Sequence, residues 1–115
     1  MTVEPRFARP ARRTTSDRVR AALIDLAGTD AQIVSHDEKA WASITFAGTR
    51  HTLTVIFEGD DAVAAGEDFL AALPDHEFTI PRQLVADATV REVRHVVLPT
   101  PRMTVVCELL LLEES

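Results

Sequence analysis

Two periodicities divide the chain. Val19, Ala22, Leu23 and Leu26 recur at helical spacing. Ahead of them stands Thr14-Thr15-Ser16-Asp17, hydroxyl caps followed by an acid that faces the positive end of a helix dipole. Gly28 sits where a left-handed residue stops a helix, so the pattern predicts a helix over residues 16–27. Val63, Gly66, Phe69, Leu70 and Leu73 form a second stripe. It predicts a helix opened by Gly59-Asp60-Asp61, capped by Asp60 and ended by Pro74. Gly66 on its packing side predicts a close approach of helix to sheet.

Elsewhere the period is two. Met103–Leu112 is the most apolar run, interrupted only by Thr104 and Glu108. As a strand it places Met103, Val105, Cys107, Leu109 and Leu111 on one face, and Thr104, Val106, Glu108, Leu110 and Leu112 on the other. A strand over a one-sided core alternates apolar with polar, so the second face asks for cover. Residues 41–57 read as a hairpin. With Gly48-Thr49 as a two-residue turn, Phe46 pairs with His51, Ile44 with Leu53, Ala42 with Val55 and Ala40 with Phe57, all on a core face. The opposite face then pairs Trp41 with Ile56. Residues 32–36 read as a weaker strand, separated from the hairpin by a polar turn at Asp37-Glu38-Lys39. Residues 77–80 read as a short strand ending at Pro81. Residues 84–98 read as a long strand whose apolar parity changes near Arg91-Glu92, which predicts a bulge there. Pro99-Thr100-Pro101 returns the chain antiparallel into the last strand.

The expected fold is α+β, a two-layer sandwich: a mainly antiparallel sheet of five to six strands with two helices, in the order α-β-β-β-α-β-β-β. The 115 residues make one domain, 14–115, behind an Arg- and Pro-rich arm over residues 1–13. The first 20 residues hold six Arg against Glu4 and Asp17, a net +4; the rest holds six basic against sixteen acidic groups, a net −10. A short basic arm on an acidic body is a weak nucleic-acid ligand, so nucleic acid is not the expected partner. A DNA-binding regulator using the arm stands as the third reading. The N-terminus lacks the apolar segment of a secretory signal, no run spans a bilayer, and a single cysteine permits no internal disulfide; the expectation is a cytoplasmic protein without a membrane partner.

Phosphate loops, nucleophile elbows and Cys-x-x-Cys pairs are absent from the sequence, and no cofactor is expected. None of His36, His51, His76 and His95 has the i, i+4 partner of a helical metal site, so no metal is expected. His36-Asp37-Glu38 and Asp75-His76-Glu77 read as solvated turns. Cys107, inside a buried-type strand, reads as an inert thiol and no residue is assigned as catalytic. Glu108 on an otherwise apolar face requires a partner, and Arg91 or Arg94 on the neighbouring strand supplies one. The leading reading is a non-catalytic module that forms a homodimer through the bare sheet face, with Trp41, Ile56, Val106, Leu110 and Leu112 at the interface. The alternative is a small-molecule-binding protein or enzyme whose cavity is anchored by His51, Asp87, Arg91 and Glu108.

Overall fold

The computed structural model describes residues 13–114. Helix α1 (Thr15–Ala27) starts at a complete capping box. The Thr14 hydroxyl accepts from the Asp17 N–H at 3.1 Å, and the Thr14 N–H donates to the Asp17 carboxylate at 3.0 Å. Val19, Leu23 and Ala27 are its buried stripe, and Gly28 ends it at φ +100°. Strands β1 (Gln32–Ala42) and β2 (Ala47–Glu58) form an antiparallel hairpin. Helix α2 (Asp60–Ala72) follows, extended by one 3₁₀ turn over Leu73–Asp75, and strands β3 (Gln83–Val96) and β4 (Arg102–Glu113) form a second hairpin. The four strands stand in the order β1-β2-β4-β3, so β4 pairs antiparallel with both β2 and β3.

α2 packs on β2 and β4, and α1 packs beside α2. Their covered face carries Leu53, Val55 and Phe57 from β2 and Met103, Val105, Cys107, Leu109 and Leu111 from β4, all at most 2% exposed. Gly66 is where α2 touches the sheet: a Cβ there would stand 2.4 Å from Met103 Cε and 2.9 Å from Phe57 Cγ. The approach that Gly66 implied in the stripe is therefore real.

Several expectations give way. The sheet has four strands, not five or six, and the order is α-β-β-α-β-β. Asp37-Glu38-Lys39 is not a turn; β1 runs straight through it. An edge strand tolerates such charges because half its side chains meet water. The hairpin turns at Ser43–Phe46, where the Ser43 N–H donates to the Phe46 carbonyl at 2.8 Å and the Ser43 hydroxyl accepts from the Phe46 N–H at 3.0 Å. Ala42 therefore faces Ala47, Glu38 faces His51 and His36 faces Leu53, in place of the pairings built on Gly48-Thr49. The partner shift is an even number of residues, so β2 keeps its face and its core residues stay core. The cost falls on β1: His36 and Glu38 take the places given to Phe46 and Ile44, which are 50% and 105% exposed. Trp41 pairs with Gly48, and Ile56 with Gln32.

Residues 77–80 form no strand, only an Ile80–Gln83 bridge. The α2 cap is Gly59 at φ +95°, with Asp60 and Asp61 in the first turn. The predicted bulge lies between Val90 and Glu92, and a second lies between Val85 and Asp87. The expected arm, apart from the exposed Arg13, lies outside the described residues. No helix among the described residues is long and apolar enough to cross a membrane.

Candidate functional site

The two faces of the sheet carry different chemistry. On the helix-covered face, a bulge between Ile33 and Ser35 resets the parity of β1. Without it Ser35 and Asp37 would lie beneath α1; with it His36 and Glu38 do. His51 stands opposite Glu38 on β2 and is 1% exposed. From α1, Arg20 Nη1 lies 2.8 Å from His36 Nδ1, and His36 Nε2 lies 2.8 Å from His51 Nδ1. Arg20 is held in turn by Asp17 at 2.5 Å, and the Ser16 hydroxyl donates to the Glu38 carboxylate.

Arginine only donates, which orients the whole chain of bonds. His36 Nδ1 must accept from Arg20, so the neutral ring carries its proton on Nε2 and donates to His51 Nδ1. His51 then carries its proton on Nε2, a buried nitrogen with no partner among the described residues. Both histidines titrate below the ordinary histidine range. For His51 the main cause is burial, then the neighbouring His36; for His36 it is burial, then the Arg20 guanidinium. Asp17 is held below the ordinary carboxylate range, chiefly by the Thr14 backbone N–H, then by the Thr14 hydroxyl and Arg20.

Ligand atoms of His36, Glu38 and His51 lie within 4.8 Å of one another, a spacing that suits a divalent ion. Two features oppose one. A guanidinium occupies the second nitrogen of His36, where a metal-bound imidazole donates to an acceptor, and the two imidazoles already bond to each other. The group is built to hold one proton arrangement.

The uncovered face centres on Glu108. Its two oxygens accept from Arg50 Nη1 and Arg91 Nη1, each at 3.1 Å, and its side chain is 13% exposed. Thr52 and Thr89 flank it on the adjacent strands. Arg94, the other candidate partner, pairs with Glu92 instead. Asp87 stands beside Leu110 on this same face. His51 is thus separated by the sheet from Asp87, Arg91 and Glu108, and the four do not converge. Trp41, Ile56, Val106 and Leu110 lie half-buried on the open face, and Leu112 is buried there. Leu112 sits between Gly48 and Leu84 and lines a hollow with Phe46, so its cover comes from the sheet's own neighbours rather than the helices.

A surface hollow of about 630 Å³ runs along residues 76–85 and Glu114. Three others, of about 350 to 390 Å³, lie at the two ends of the sheet. None of these four is lined by His51, Asp87, Arg91 or Glu108. Cys107 is buried, and burial pushes its thiol up to about 12. Sequence reasoning did not single out Arg20 or Ser16, and it read Glu38 as part of a turn. The available signal was the His36-x-Glu38 spacing, which shares a face only if β1 is continuous.

No protein-family model matches the chain, and no curated protein matches it in sequence. Among solved structures, a chain from the "Virion of native gene transfer agent (GTA) particle" superposes with a TM-score of 0.56 at 18% identity. The match covers 85% of this chain and 91% of that one, and at this identity it shows a shared α+β fold.

Proposed function

We propose that this protein is a non-catalytic structural subunit that associates with copies of itself through the uncovered sheet face. The observation that carries the reading is the bare face itself: both helices lie on one side of a four-stranded sheet. The other side presents Trp41, Ile56, Val106 and Leu110 around the Arg50–Glu108–Arg91 group. Both oxygens of Glu108 already accept from arginine, so that carboxylate stays satisfied in a contact that excludes water. The similar chain comes from the virion of a gene transfer agent particle, which supports an assembling role. A homodimer with Trp41, Ile56, Val106 and Leu110 in the contact and Leu112 at its edge is the simplest form of this contact.

The test is molar mass by light scattering at tens of micromolar, for the wild type and for Ile56→Arg, which places a charge on the open face. The wild type should exceed the monomer mass and the variant should lose that association. A wild type that remains a monomer throughout sinks the reading.

A further inference from the structure

The second half of β3 lies bare. Ala88 is the last buried residue of the strand, and every residue from Arg91 to Thr100 is exposed. The cause is the layer above: α2 packs on β2 and β4, and the 3₁₀ turn that follows α2 packs against β3. Val93 and Val96, 44% and 52% exposed, stand uncovered on opposite faces of this strand, with Val97 and Leu98 beyond them. β3 also stands at the margin of the sheet. Among the described strands it pairs with β4 alone, so half of its N–H and C=O groups point outward with no strand to receive them. The other margin, β1, exposes one large apolar residue, Val34.

Bulges interrupt β3 at Val85/Asp87 and Val90/Glu92, but from Glu92 to Val96 its ladder with β4 is unbroken. The charges of the strand balance: Asp87 and Glu92 match Arg91 and Arg94, in a chain of net −6. Glu92 and Arg94 share the open face, with Val93 between them turned to the other, and pair with each other at 3.1 Å. This pattern is complementary to itself. Two antiparallel copies related by a two-fold axis keep their faces matched only when the axis passes through a residue, because each residue must meet one turned the same way. An axis at Glu92 or at Arg94 sets like charges opposite each other. An axis at His95 sets Arg94 against Val96 and Glu92 against Leu98, and matches no charge. An axis at Val93 sets Glu92 of each copy against Arg94 of the other, and Val93 against its own counterpart.

We infer that β3 of one copy pairs antiparallel with β3 of a second copy about Val93, joining two four-stranded sheets into one. Opposite charges facing each other across the strands favour this register, and like charges oppose its neighbours. Glu58, Asp60 and Asp61 do not intrude, since they lie at the end of β2, two strands in from this edge. The axis stands perpendicular to the sheet, so all the helices lie on one side and both open faces on the other. The edge contact therefore goes beyond the face contact proposed above and uses none of its residues. The regular stretch is only Glu92–Val96, so the pair is weak by itself, and covalent trapping rather than mass is its measure.

Val93→Cys tests the pairing, because it sets two thiols opposite each other with about 4.5–5.5 Å between Cα atoms, a span a disulfide bridges. The native Cys107 is buried and takes no part. All positions changed are exposed, and circular dichroism verifies folding. At tens of micromolar in air, Val93→Cys should cross-link to a dimer on a non-reducing gel. His95→Cys, whose two thiols would stand about 13 Å apart along the strands, should stay monomeric. Added to Val93→Cys, Glu92→Arg and Arg94→Glu should each slow cross-linking by about tenfold, since like charges then meet. Mixing these two chains in equal amounts should restore it, because the arginines of one copy meet the carboxylates of the other. Equal cross-linking at His95→Cys, charge variants without effect, or a mixture no faster than either chain alone overturns the pairing. So does a Val93→Cys that stays monomeric; if the wild type then still exceeds the monomer mass and Ile56→Arg abolishes the excess, the face contact stands without the edge. If Val93→Cys cross-links equally well with Ile56→Arg added, while the wild type scatters as a monomer, the edge pairing stands and the face contact fails.

Discussion

Acid should loosen this fold before its carboxylates begin to titrate, and the reason is the histidine pair beneath α1. Both His36 and His51 are held below their ordinary value of 6.5, mainly by burial. The unfolded chain therefore binds protons first as pH falls. Their contribution is complete above about 6.5 and declines as pH falls from there toward the lower folded values. Two protons can also not be placed without breaking the bonding pattern. A proton on His36 Nδ1 would face the Arg20 guanidinium, and one on His51 Nδ1 would face the N–H of His36. Each fully uncompensated histidine costs at most about 1.4 kcal/mol per pH unit, so the pair costs at most about 2.7. The share of His36 is smaller because water screens a half-buried ring. Going from pH 7 to pH 5.5 should thus lower the melting temperature by several degrees, given roughly 4–8 °C per kcal/mol in a domain of this size. The assay is thermal and urea unfolding from pH 7.5 to 5.0, compared with the double variant His36→Leu, His51→Leu. The double variant removes both titrations and the unpartnered His51 Nε2–H together, so its stability should be nearly flat over that range. A wild-type curve that rises as pH falls, or a double variant with the wild-type slope, would refute the argument.

Two further tests probe packing and charge. Gly66→Ala gains helix propensity, worth about 1 kcal/mol, but drives a methyl group into Met103 and Phe57, a clash of the kind that costs about 1–3 kcal/mol. Urea midpoints should fall, and a stabilised Gly66→Ala would show that α2 can lift off the sheet at no cost. Arg50→Ala and Arg91→Ala should each cost under about 1 kcal/mol because the other arginine still holds Glu108, while the double variant should cost clearly more than their sum, as an unpaired carboxylate at 13% exposure demands; additive losses in a double-mutant cycle would disprove the shared clamp.

Much of the fold was legible in the order of residues. The capping box at Thr14–Asp17, the Gly28 stop, the Gly66 contact, the bulge near Arg91 and the inward set of β4 all follow from local chemistry. Each leaves its mark in a pattern only a few residues long. The Glu108–Arg91 pair was legible for a different reason, since a carboxylate on an apolar face needs a cation. The register of the first hairpin was not legible. Side chains alternate with a period of two, so any even slip preserves which face is apolar, and alternation cannot choose among slips. The Ser43 turn and the pairing of the whole of β1 with β2 made the choice. That choice expelled Ile44 and Phe46 to an exposed tip and drew His36 and Glu38 under α1.

What the sequence determined alone, then, is the two helices and the inward faces of β2 and β4, because these are questions of local period and capping. Which residues meet across those faces was decided by tertiary structure. The bond from Arg20 to His36 and on to His51 joins one helix to two strands. The separation of His51 from Glu108 depends on the sheet lying between them. The bareness of the open face exists only because both helices pack on the same side, and no local preference within either helix specifies that side.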